Sequence, residues 1–412
     1  MSDTAQSDTA QSATARSATA LSDTAVRLRR PGWSLPQAAY TDPEVFTADL
    51  ERIWAGGWLF AGHTCELAEP GDYLTRDVGR DRVIVVRGDD GALHAHHDVC
   101  AHRGSRLTTA DRGCVRAFVC PYHQWVYRTD GTLRSARLMG EDFGVSAYRL
   151  APAAVHEIEG LVFVCLADEP PDISGFAEAL GPQLAPHRLA DARIETRLRY
   201  RVAANWKTLV ENNRECYHCA GSHPEFTLSN FDLGVNGDLR SNPRYDAAVA
   251  RARSRWARRG LASAEVSFPD GAWYRVARLP LRDGFVTESL DGRPVAPFLG
   301  RLGAADAGSL RVVGLPDMWA HANSDYAVTT RLTPVDAGTT DVELCFLVRA
   351  DAGAVDRDAL TAVWRATSEQ DWALCEQAYA GIASRGYRPG PLSPVVEASV
   401  EAFLGWYERA LG

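Results

Sequence analysis

The sequence of 412 residues lacks the features of several large protein classes. It has no run approaching the roughly 18 uninterrupted apolar residues of a membrane-spanning helix, and its start has neither the basic residues nor the apolar core of a secretory signal. Positive charge is not in excess, because 44 Lys and Arg residues stand against 53 Asp and Glu residues. The net charge of −9 makes nucleic acid and anionic membranes poor partners. We therefore expect a protein of the reducing cytoplasm.

The sequence also lacks an even number of cysteines. Nine cysteines cannot all pair within one chain, and a chain of this length does not need a disulfide framework. Free thiols, metal ligands or both are left. Cys216 and Cys219 form a C-x-x-C pair, but the pair spans a histidine that has a better assignment. We therefore predict that these two thiols are packing residues.

A Gly-rich dinucleotide-binding motif after a predicted strand is missing as well, so the chain is not expected to bind NAD(P)H itself.

The residues that are present divide into four segments. Residues 1–30 are a low-complexity tail of small polar repeats, which bury too little apolar surface to offset the entropy of ordering. Residues 31–57 are predicted to form an N-terminal helical segment that packs on the catalytic domain. Short β-type runs over 58–166 predict a small all-β domain, and 167–412 predict a mixed α+β domain.

Three helices follow from capping residues and apolar periodicity. Asp42 is placed to cap a helix over residues 43–54, with proline in its first turn. Residues 206–219 have a helical pattern, and residues 356–382 form the longest helix pattern of the chain.

Two short cysteine–histidine pairs form the first constellation of candidate ligands. Cys100 and His102 lie at the end of one β run, and Cys120 and His123 lie at the end of another. Two thiolates and two imidazoles suit zinc, and they also suit a [2Fe–2S] cluster with the cysteines on one iron and the histidines on the other.

A second constellation lies further along the chain. His218 and His223 converge if the helix ends near Gly221, because proline after His223 favours an extended backbone there. Two histidines and a carboxylate on one side of iron form the site of non-haem Fe(II) oxygenases. Glu211 and Glu215 are nearby carboxylates, and the local sequence leaves the third ligand open.

Together the two constellations resemble the α subunit of a Rieske non-haem iron oxygenase, over nearly the whole chain from residue 31. Segments 211–219, 370–376 and 384–394 are similar to the branch that contains the glycine betaine, carnitine and stachydrine monooxygenases. The resemblance implies that Asp371 is the carboxylate ligand of the mononuclear iron. It also implies that Glu215 bridges to a neighbouring subunit and that Asn212 supports the iron site.

The same resemblance implies a fold, cofactors and partners. The expected fold is α+β, with a Rieske [2Fe–2S] β-sandwich domain and a catalytic domain whose antiparallel sheet is flanked by helices in a helix-grip, START-like arrangement. The cofactors would be the [2Fe–2S] cluster and mononuclear Fe(II), with O₂ as co-substrate. Electrons would come from NAD(P)H through a separate flavin and iron–sulfur reductase, and the chain would form a homotrimer.

The implied reaction is oxidative N-demethylation of a quaternary ammonium compound such as glycine betaine. Such a cation favours aromatic walls, and Trp319, Trp273 and Tyr326 are the candidates in the catalytic half. Asn213 replaces the aromatic residue expected in this branch, which leaves oxidation of an aromatic or heteroaromatic amine as an alternative. A zinc-stapled binding module without redox activity is the alternative of another class.

Overall fold

The computed structural model describes residues 29–231, 243–267, 273–303 and 306–412. The low-complexity tail predicted over residues 1–30 lies outside the described residues, except for its last two positions. Among the helices of the described ranges, none combines the length and the apolar character needed to cross a membrane.

The α-helices of the described residues are α1 (Gln37–Thr41), α2 (Pro43–Asp49), α3 (Ser174–Leu184), α4 (Trp206–Asn213), α5 (Cys219–Ser222), α6 (Pro224–Ser229), α7 (Pro243–Arg258), α8 (Arg357–Ile382) and α9 (Ala398–Leu411). The strands of the N-terminal half are β1 (Leu59–His63), β2 (Asp72–Val78), β3 (Asp81–Arg87), β4 (Leu93–His97), β5 (Arg112–Cys114), β6 (Phe118–Val119), β7 (Val126–Tyr127), β8 (Leu133–Ser135), β9 (Pro152–Ile158) and β10 (Leu161–Cys165). Those of the C-terminal half are β11 (Ala192–Val202), β12 (Val266–Ser267), β13 (Tyr274–Leu279), β14 (Ser309–Gly314), β15 (Met318–Ala322), β16 (Tyr326–Asp336) and β17 (Thr339–Arg349).

The N-terminal strands form two sheets. One has the order β1-β10-β9-β4-β3-β2-β5, and a smaller one has the order β6-β7-β8. The core between them includes Ile84 and Val86 of β3, Phe118 of β6 and Tyr127 of β7. The predicted small β domain with two packed sheets is therefore present. The two loops with the cysteine–histidine pairs lie directly after β4 and β6.

The C-terminal strands form one antiparallel sheet in the order β11-β17-β16-β15-β14-β13-β12. Side chains alternate between its faces, as in any strand. Val313, Trp319 and Phe346 point into the core shared with α8 and α9, whereas Val312 and Met318 point into the core shared with α3. One face of the sheet therefore packs against α8, which is the arrangement that the resemblance predicts.

Helix α8 is the longest helix of the described residues, and its sequence explains its length. The Asp356 side chain accepts hydrogen bonds from the amides of Asp358 and Ala359, which caps the N-terminus. Buried residues recur at three- and four-residue spacing from Leu360 to Cys375, so one stripe faces the sheet. Asp371 lies on this stripe and is thereby held over the sheet.

The N-terminal segment packs against the catalytic half. Asp42 caps α2 through the Glu44 amide (2.8 Å), as predicted, and a π-helical turn over residues 50–54 continues the helix. The ring of Trp54 meets that of Trp206 edge-on at 5.5 Å. The buried ion pair between Asp49 and Lys207 joins the segment to α4. The start of α4 is thereby fixed from outside the catalytic domain.

The β domain is joined to the catalytic sheet by buried polar contacts. Arg76 of β2 pairs with Asp317 at 2.9 Å, and both side chains are almost fully buried. Asp317 also accepts from the amide of Phe60. A buried ion pair with these additional hydrogen bonds fixes one relative geometry of the two halves of the chain.

The predicted helix over residues 206–219 is interrupted, and this prediction was wrong in its second half. Helix α4 ends at Asn213, and residues 214–218 form a turn before α5 begins at Cys219. The turn allows the Glu215 carboxylate to accept from the Tyr217 amide and to reach the His218 ring. These local hydrogen bonds replace the helical ones.

Candidate metal centres and active-site cavity

The two loops with Cys100 and Cys120 have the same backbone hydrogen-bonding pattern. In each loop the cysteine amide donates to the carbonyl five residues later, and the residue four positions later donates back to the cysteine carbonyl, at 2.8–3.0 Å. That residue is Gly104 in one loop and Gln124 in the other, and both have left-handed backbone (φ 73° and 62°). The loops therefore present their ligands as two equivalent halves of one site.

The side chains of these loops are arranged with the sulfurs inside and the imidazoles outside. Cys100 and Cys120 are 2% and 1% exposed, whereas His102 and His123 are half-buried, with ring centroids 4.6 Å apart. The Nδ1 atom of each histidine is buried and has no hydrogen-bond partner among the described residues. This donor set fits a [2Fe–2S] cluster, whose two irons take the thiolates and the imidazoles respectively.

Tyr127 contacts this site, and the sequence did not indicate it. Its hydroxyl lies 3.2 Å from the sulfur of Cys100 and accepts a hydrogen bond from the amide of Ala101 at 3.0 Å. Since the hydroxyl oxygen already accepts from the amide, its proton is available to the sulfur. Hydrogen bonds to the sulfurs are one of the means by which a protein sets the potential of such a cluster.

The donor atoms of His218, His223 and Asp371 converge at a second site. Asp371 Oδ1 lies 3.2 Å from His218 Nε2 and 2.8 Å from His223 Nε2. The Nε2 atom of His223 is buried, and it forms no hydrogen bond of acceptable angle and distance with the described residues. The two imidazoles come from the turns before and after α5, and the carboxylate comes from α8. Two imidazoles and one carboxylate fit the facial ligand set of non-haem Fe(II).

The other nitrogen of each imidazole has its own partner. Nδ1 of His218 lies 2.5 Å from Glu215 Oε1, and Nδ1 of His223 lies 2.8 Å from Gln370 Oε1. The Gln370 amide in turn donates to Glu225 at 3.0 Å. Because an acceptor faces each Nδ1, the Nδ1 proton is favoured and the Nε2 lone pair is left for a metal.

The Asp371 carboxylate shifts the pKa values of the two imidazoles beside it. Burial alone would lower the pKa of His218, but hydrogen bonds that its ring donates to Asp371 and Glu215 raise that pKa to about 9. Burial also lowers the pKa of His223, but the negative charge of Asp371 and the hydrogen bond to Gln370 raise it above its ordinary value. Binding of a divalent cation must displace protons from these imidazoles, so metal affinity increases with pH.

Glu211 and Glu215, the two local carboxylates, have roles that differ from that of Asp371. Glu211 accepts a hydrogen bond from the Tyr40 hydroxyl at 2.7 Å, away from the two histidines. Glu215 faces Nδ1 of His218, on the side of the ring opposite to Asp371. The amide of Asn212 lies 3.4 Å from His218 Nε2 and lines the cavity described next.

Cys216 and Cys219 are joined by a disulfide, which corrects the expectation of two free packing thiols. A ligand atom of Cys219 lies within 4.8 Å of those of His218 and His223. In the disulfide its sulfur is not a thiolate, so Asp371 is the better third ligand beside the histidines. The spacing of C-x-x-C permits this bond, and the turn over residues 214–218 brings the two residues together.

A cavity opens beside these ligands, between α8 and the facing side of the catalytic sheet. Its aromatic wall is formed by Phe226, Trp319, Trp364 and Trp372. Its polar wall includes Asn213, Arg214, Arg275, Arg311, His321, Thr330, Thr367 and Ser368. A cavity with an aromatic wall and convergent polar groups can bind a small molecule that has both an apolar and a polar part.

Of the three aromatic residues predicted to bind substrate, Trp319 lines this cavity and the other two do not. Trp273 packs against Phe176, with ring centroids 4.9 Å apart, so it fills the core on the α3 side. Tyr326 is fully buried, and its hydroxyl donates to the Glu288 carbonyl at 2.6 Å. The sequence could not assign either placement, although large aromatic residues in a sheet are more often found in a core.

The residues that sequence reasoning missed at the iron-type site come from distant segments. Gln370, Trp364 and the two arginines Arg275 and Arg311 carry no local motif that links them to His218. Only the three- and four-residue spacing back from Asp371 along α8 points to Trp364, because residues seven apart share a helix face.

Comparison with known proteins agrees with this geometry. The family model for the "Ring hydroxylating alpha subunit (catalytic domain)" matches residues 189–412. The family model for the "Rieske [2Fe-2S] domain" matches residues 57–149. The chain is 43% identical to the glycine betaine monooxygenase oxygenase subunit of Chromohalobacter salexigens over 94% of this chain and 87% of that protein. The corresponding subunit of Pseudomonas aeruginosa is 40% identical over 94% and 91%.

Among solved structures, a quaternary ammonium Rieske monooxygenase in complex with L-carnitine has the same fold. Its TM-score is 0.70 at 24% identity, covering 93% of this chain and 97% of that one. The chain belongs to the family of Rieske non-haem iron oxygenases. It is an oxygenase subunit of the monooxygenase type in that family, and its cofactors are a [2Fe–2S] cluster and a mononuclear iron.

Family membership decides between the readings that the sequence left open. A zinc-stapled module without redox activity is excluded, because the cluster domain and the catalytic domain are both present. As the oxygenase component of a multi-component system, the chain requires electrons from a reductase partner.

Proposed function

We propose that this chain is the terminal oxygenase of a system that oxidatively removes an N-methyl group from a small quaternary ammonium compound such as glycine betaine. The observation that carries this proposal is the position of the aromatic wall. Trp319, Trp364 and Trp372 line the same cavity as His218 and Asp371. Faces of tryptophan rings attract quaternary ammonium groups through cation–π contacts. The glycine betaine monooxygenase subunits among the relatives support the choice of substrate.

In this proposal each residue has a definite task. His218, His223 and Asp371 would hold the iron, which with O₂, two electrons and two protons would supply insertion of one oxygen atom into a C–H bond, the other oxygen atom leaving as water. The aromatic wall holds the ammonium group with one methyl toward these ligands and excludes water. Glu215 and Gln370 hold the Nδ1 protons and fix both rings. The hydroxymethyl product then loses its O–H proton to solvent and splits into formaldehyde and the demethylated amine.

Formaldehyde release tests this proposal. The iron-loaded chain is supplied with electrons by a flavin and iron–sulfur reductase and offered glycine betaine, choline, carnitine and an aromatic amine. We expect formaldehyde from a quaternary ammonium compound, in proportion to the O₂ consumed. No formaldehyde from any methylated amine contradicts the proposal. A hydroxylated or N-oxygenated aromatic amine supports the alternative suggested by Asn213, which lines the cavity.

We also propose a homotrimer in which the cluster of one chain serves the iron of the next. Large apolar side chains are exposed at both ends of such a path. Val99 and Tyr122 beside the cluster loops are 46% and 54% exposed, and Tyr217 beside Glu215 is 69% exposed. Large apolar side chains exposed beside both candidate metal sites support an interaction surface at each of them. Glu215 would then contact a cluster histidine of the neighbouring chain while holding His218.

A mixing experiment tests transfer between chains. Oligomers are assembled from Cys100→Ser chains, which lose the cluster, and Asp371→Ala chains, which lose the mononuclear iron. We expect activity only in the mixed oligomer. Adding Glu215→Gln to the Cys100→Ser chain should reduce that activity by about 10- to 100-fold. Adding it to the Asp371→Ala chain is the matched control and should change nothing. Mixed oligomers without activity contradict transfer between chains.

The partner reductase and the compartment complete the proposal. NAD(P)H would reach the cluster only through a flavin and iron–sulfur reductase. The five cysteines outside the disulfide and the cluster loops are unpaired, as is usual in reducing compartments, which supports a cytoplasmic location.

A further inference from the structure

Two arginines stand on the face of the catalytic sheet that borders the cavity. Arg275 of β13 pairs with Val313 of β14, and Val313 pairs with Trp319 of β15. In the adjacent row, Arg311 of β14 pairs with His321 of β15. Since residues two apart on a strand share a face, both arginines lie on the same side of the sheet as Trp319. All five residues line the cavity.

The charges are layered, with guanidinium groups toward the cavity and carboxylates behind them. Arg311 lies 3.7 Å from Glu288, which is fully buried, and donates to Asn230 Oδ1 at 2.5 Å. Arg275 donates to Glu265 at 3.0 Å. The arginines line the cavity, and neither Glu288 nor Glu265 does. The acids therefore orient the arginines, and the side of the layer that borders the cavity is cationic.

Arg311 has unused hydrogen-bonding capacity. Its side chain is 8% exposed, and its Nε–H is buried with no hydrogen-bond partner among the described residues. A buried donor without a partner is costly, so its retention is explained if a ligand completes it. The planar guanidinium is the side chain best suited to grip a carboxylate through two parallel hydrogen bonds.

The aromatic wall connects this cationic end with the candidate iron ligands. The guanidinium carbon of Arg311 lies 5.6 Å from the Phe226 ring centre, which lies 6.1 Å from that of Trp364. Trp364 and Asp371 are seven residues apart on α8, which corresponds to about 10 Å along the helix axis. Arg311, the aromatic wall, His218 and Asp371 therefore border one and the same cavity.

We propose that Arg311, supported by Arg275, is a specificity-determining residue that binds the carboxylate of a zwitterionic quaternary ammonium substrate. The carboxylate is held at the sheet, and the trimethylammonium group lies against the aromatic wall with a methyl toward His218 and Asp371. This inference rests on the proposed function and sharpens it. The enzyme selects amines that carry a carboxylate a few bonds from the nitrogen, over alcohols of the same size.

Glycine betaine and choline make the matched pair of ligands, since both carry a trimethylammonium group and only the first carries a carboxylate. Dissociation constants for the holoenzyme are measured by calorimetry, which needs no turnover, and formaldehyde release then gives KM and kcat. We expect the wild type to bind glycine betaine at least tenfold more tightly than choline. Arg311→Lys keeps a charge but loses the paired hydrogen bonds. It should raise Kd and KM for glycine betaine about tenfold, with a smaller change in kcat and no change for choline.

Two further variants of the chain control for a loss of folding. The double variant Arg311→Met/Glu288→Gln removes both buried charges together and should abolish the preference for glycine betaine. Arg201→Met, an exposed arginine of the same sheet, is the control and should behave as the wild type. Equal affinity of the wild type for both ligands, or equal losses for both in Arg311→Lys, overturns the inference. Tight glycine betaine binding that depends on Arg311, without formaldehyde release, supports the inference while contradicting the proposed reaction.

Discussion

The two candidate metal sites of this chain are built in different ways. The cluster site takes its four ligands from two loops within 24 residues of sequence (Cys100–His123), and both loops have the same backbone hydrogen bonds. The second site takes two ligands from turns around α5 and the third from α8, 148 residues beyond His223 (371 − 223). The first site is therefore defined by local geometry, whereas the second exists only when the catalytic domain has folded.

Removal of one ligand from each site is expected to have the largest effect. Asp371→Ala should lose the mononuclear iron and essentially all activity, while keeping the visible spectrum and the electron paramagnetic resonance signal of the cluster. Cys100→Ser should lose the cluster and keep the mononuclear iron. Iron content and spectra of the two purified variants check this. If either variant loses both metal centres, the sites are not independent.

The next expected effect concerns the residues that hold the imidazoles of the second site. Gln370→Ala removes the acceptor of the His223 Nδ1 proton and should weaken iron binding by about 10- to 100-fold. Iron titration of the apoprotein gives the affinity. Thr361→Ala on the same helix, remote from His223, is a suitable control. An unchanged affinity in Gln370→Ala would mean that this hydrogen bond does not orient the ring.

Tyr127→Phe makes the corresponding test at the cluster site. The variant removes the hydrogen bond from the Tyr127 hydroxyl to the Cys100 sulfur. Because such a hydrogen bond stabilises the reduced cluster, the reduction potential should fall while the cluster stays bound. Redox titration of the visible spectrum measures this. The iron affinity of the second site should not change, and a change there would show that the two sites are coupled within one chain.

The smallest expected effect is a pH dependence of stability. Burial raises the pKa of Glu211 to about 7, despite its hydrogen bond from Tyr40. The folded chain therefore binds more protons than the unfolded chain between pH 4.5 and 7, and wild-type stability falls as the pH rises through this window. Glu211→Gln should abolish this pH-dependent loss, which amounts to at most about 3 kcal/mol in the free energy of unfolding. Thermal unfolding at pH 5 and pH 8 measures the difference, and parallel curves for the two proteins would contradict it.

The contrast between the sites also explains what could be predicted from sequence. The cluster loops and the spacing of His218 and His223 are local patterns, and the helix over residues 356–382 has both a cap and a buried stripe. The role of Asp371 came only from family resemblance, because no local pattern joins it to the histidines. The interruption of the helix after Asn213 was missed, because the hydrogen bonds of the Glu215 side chain compete with helix formation there.

The cavity walls were the least predictable part. Trp319 lines the cavity, whereas Tyr326, on the same face of the neighbouring strand, is fully buried and contacts Trp364. The strand pattern gives only the face of each residue, and the packing of α8 on the sheet decides which part of that face borders the cavity. Arg275 and Arg311 share this face through the alignment of β13 and β14, which is set by pairing between strands distant in sequence.

Formaldehyde formed per O₂ consumed is the measurement that tests the central claim most directly. With reductase, NAD(P)H and glycine betaine, the wild type should release one formaldehyde for each O₂, and neither Asp371→Ala nor Cys100→Ser should release any. Formaldehyde from Asp371→Ala, or O₂ consumption by the wild type without formaldehyde from any quaternary ammonium compound, would contradict the account.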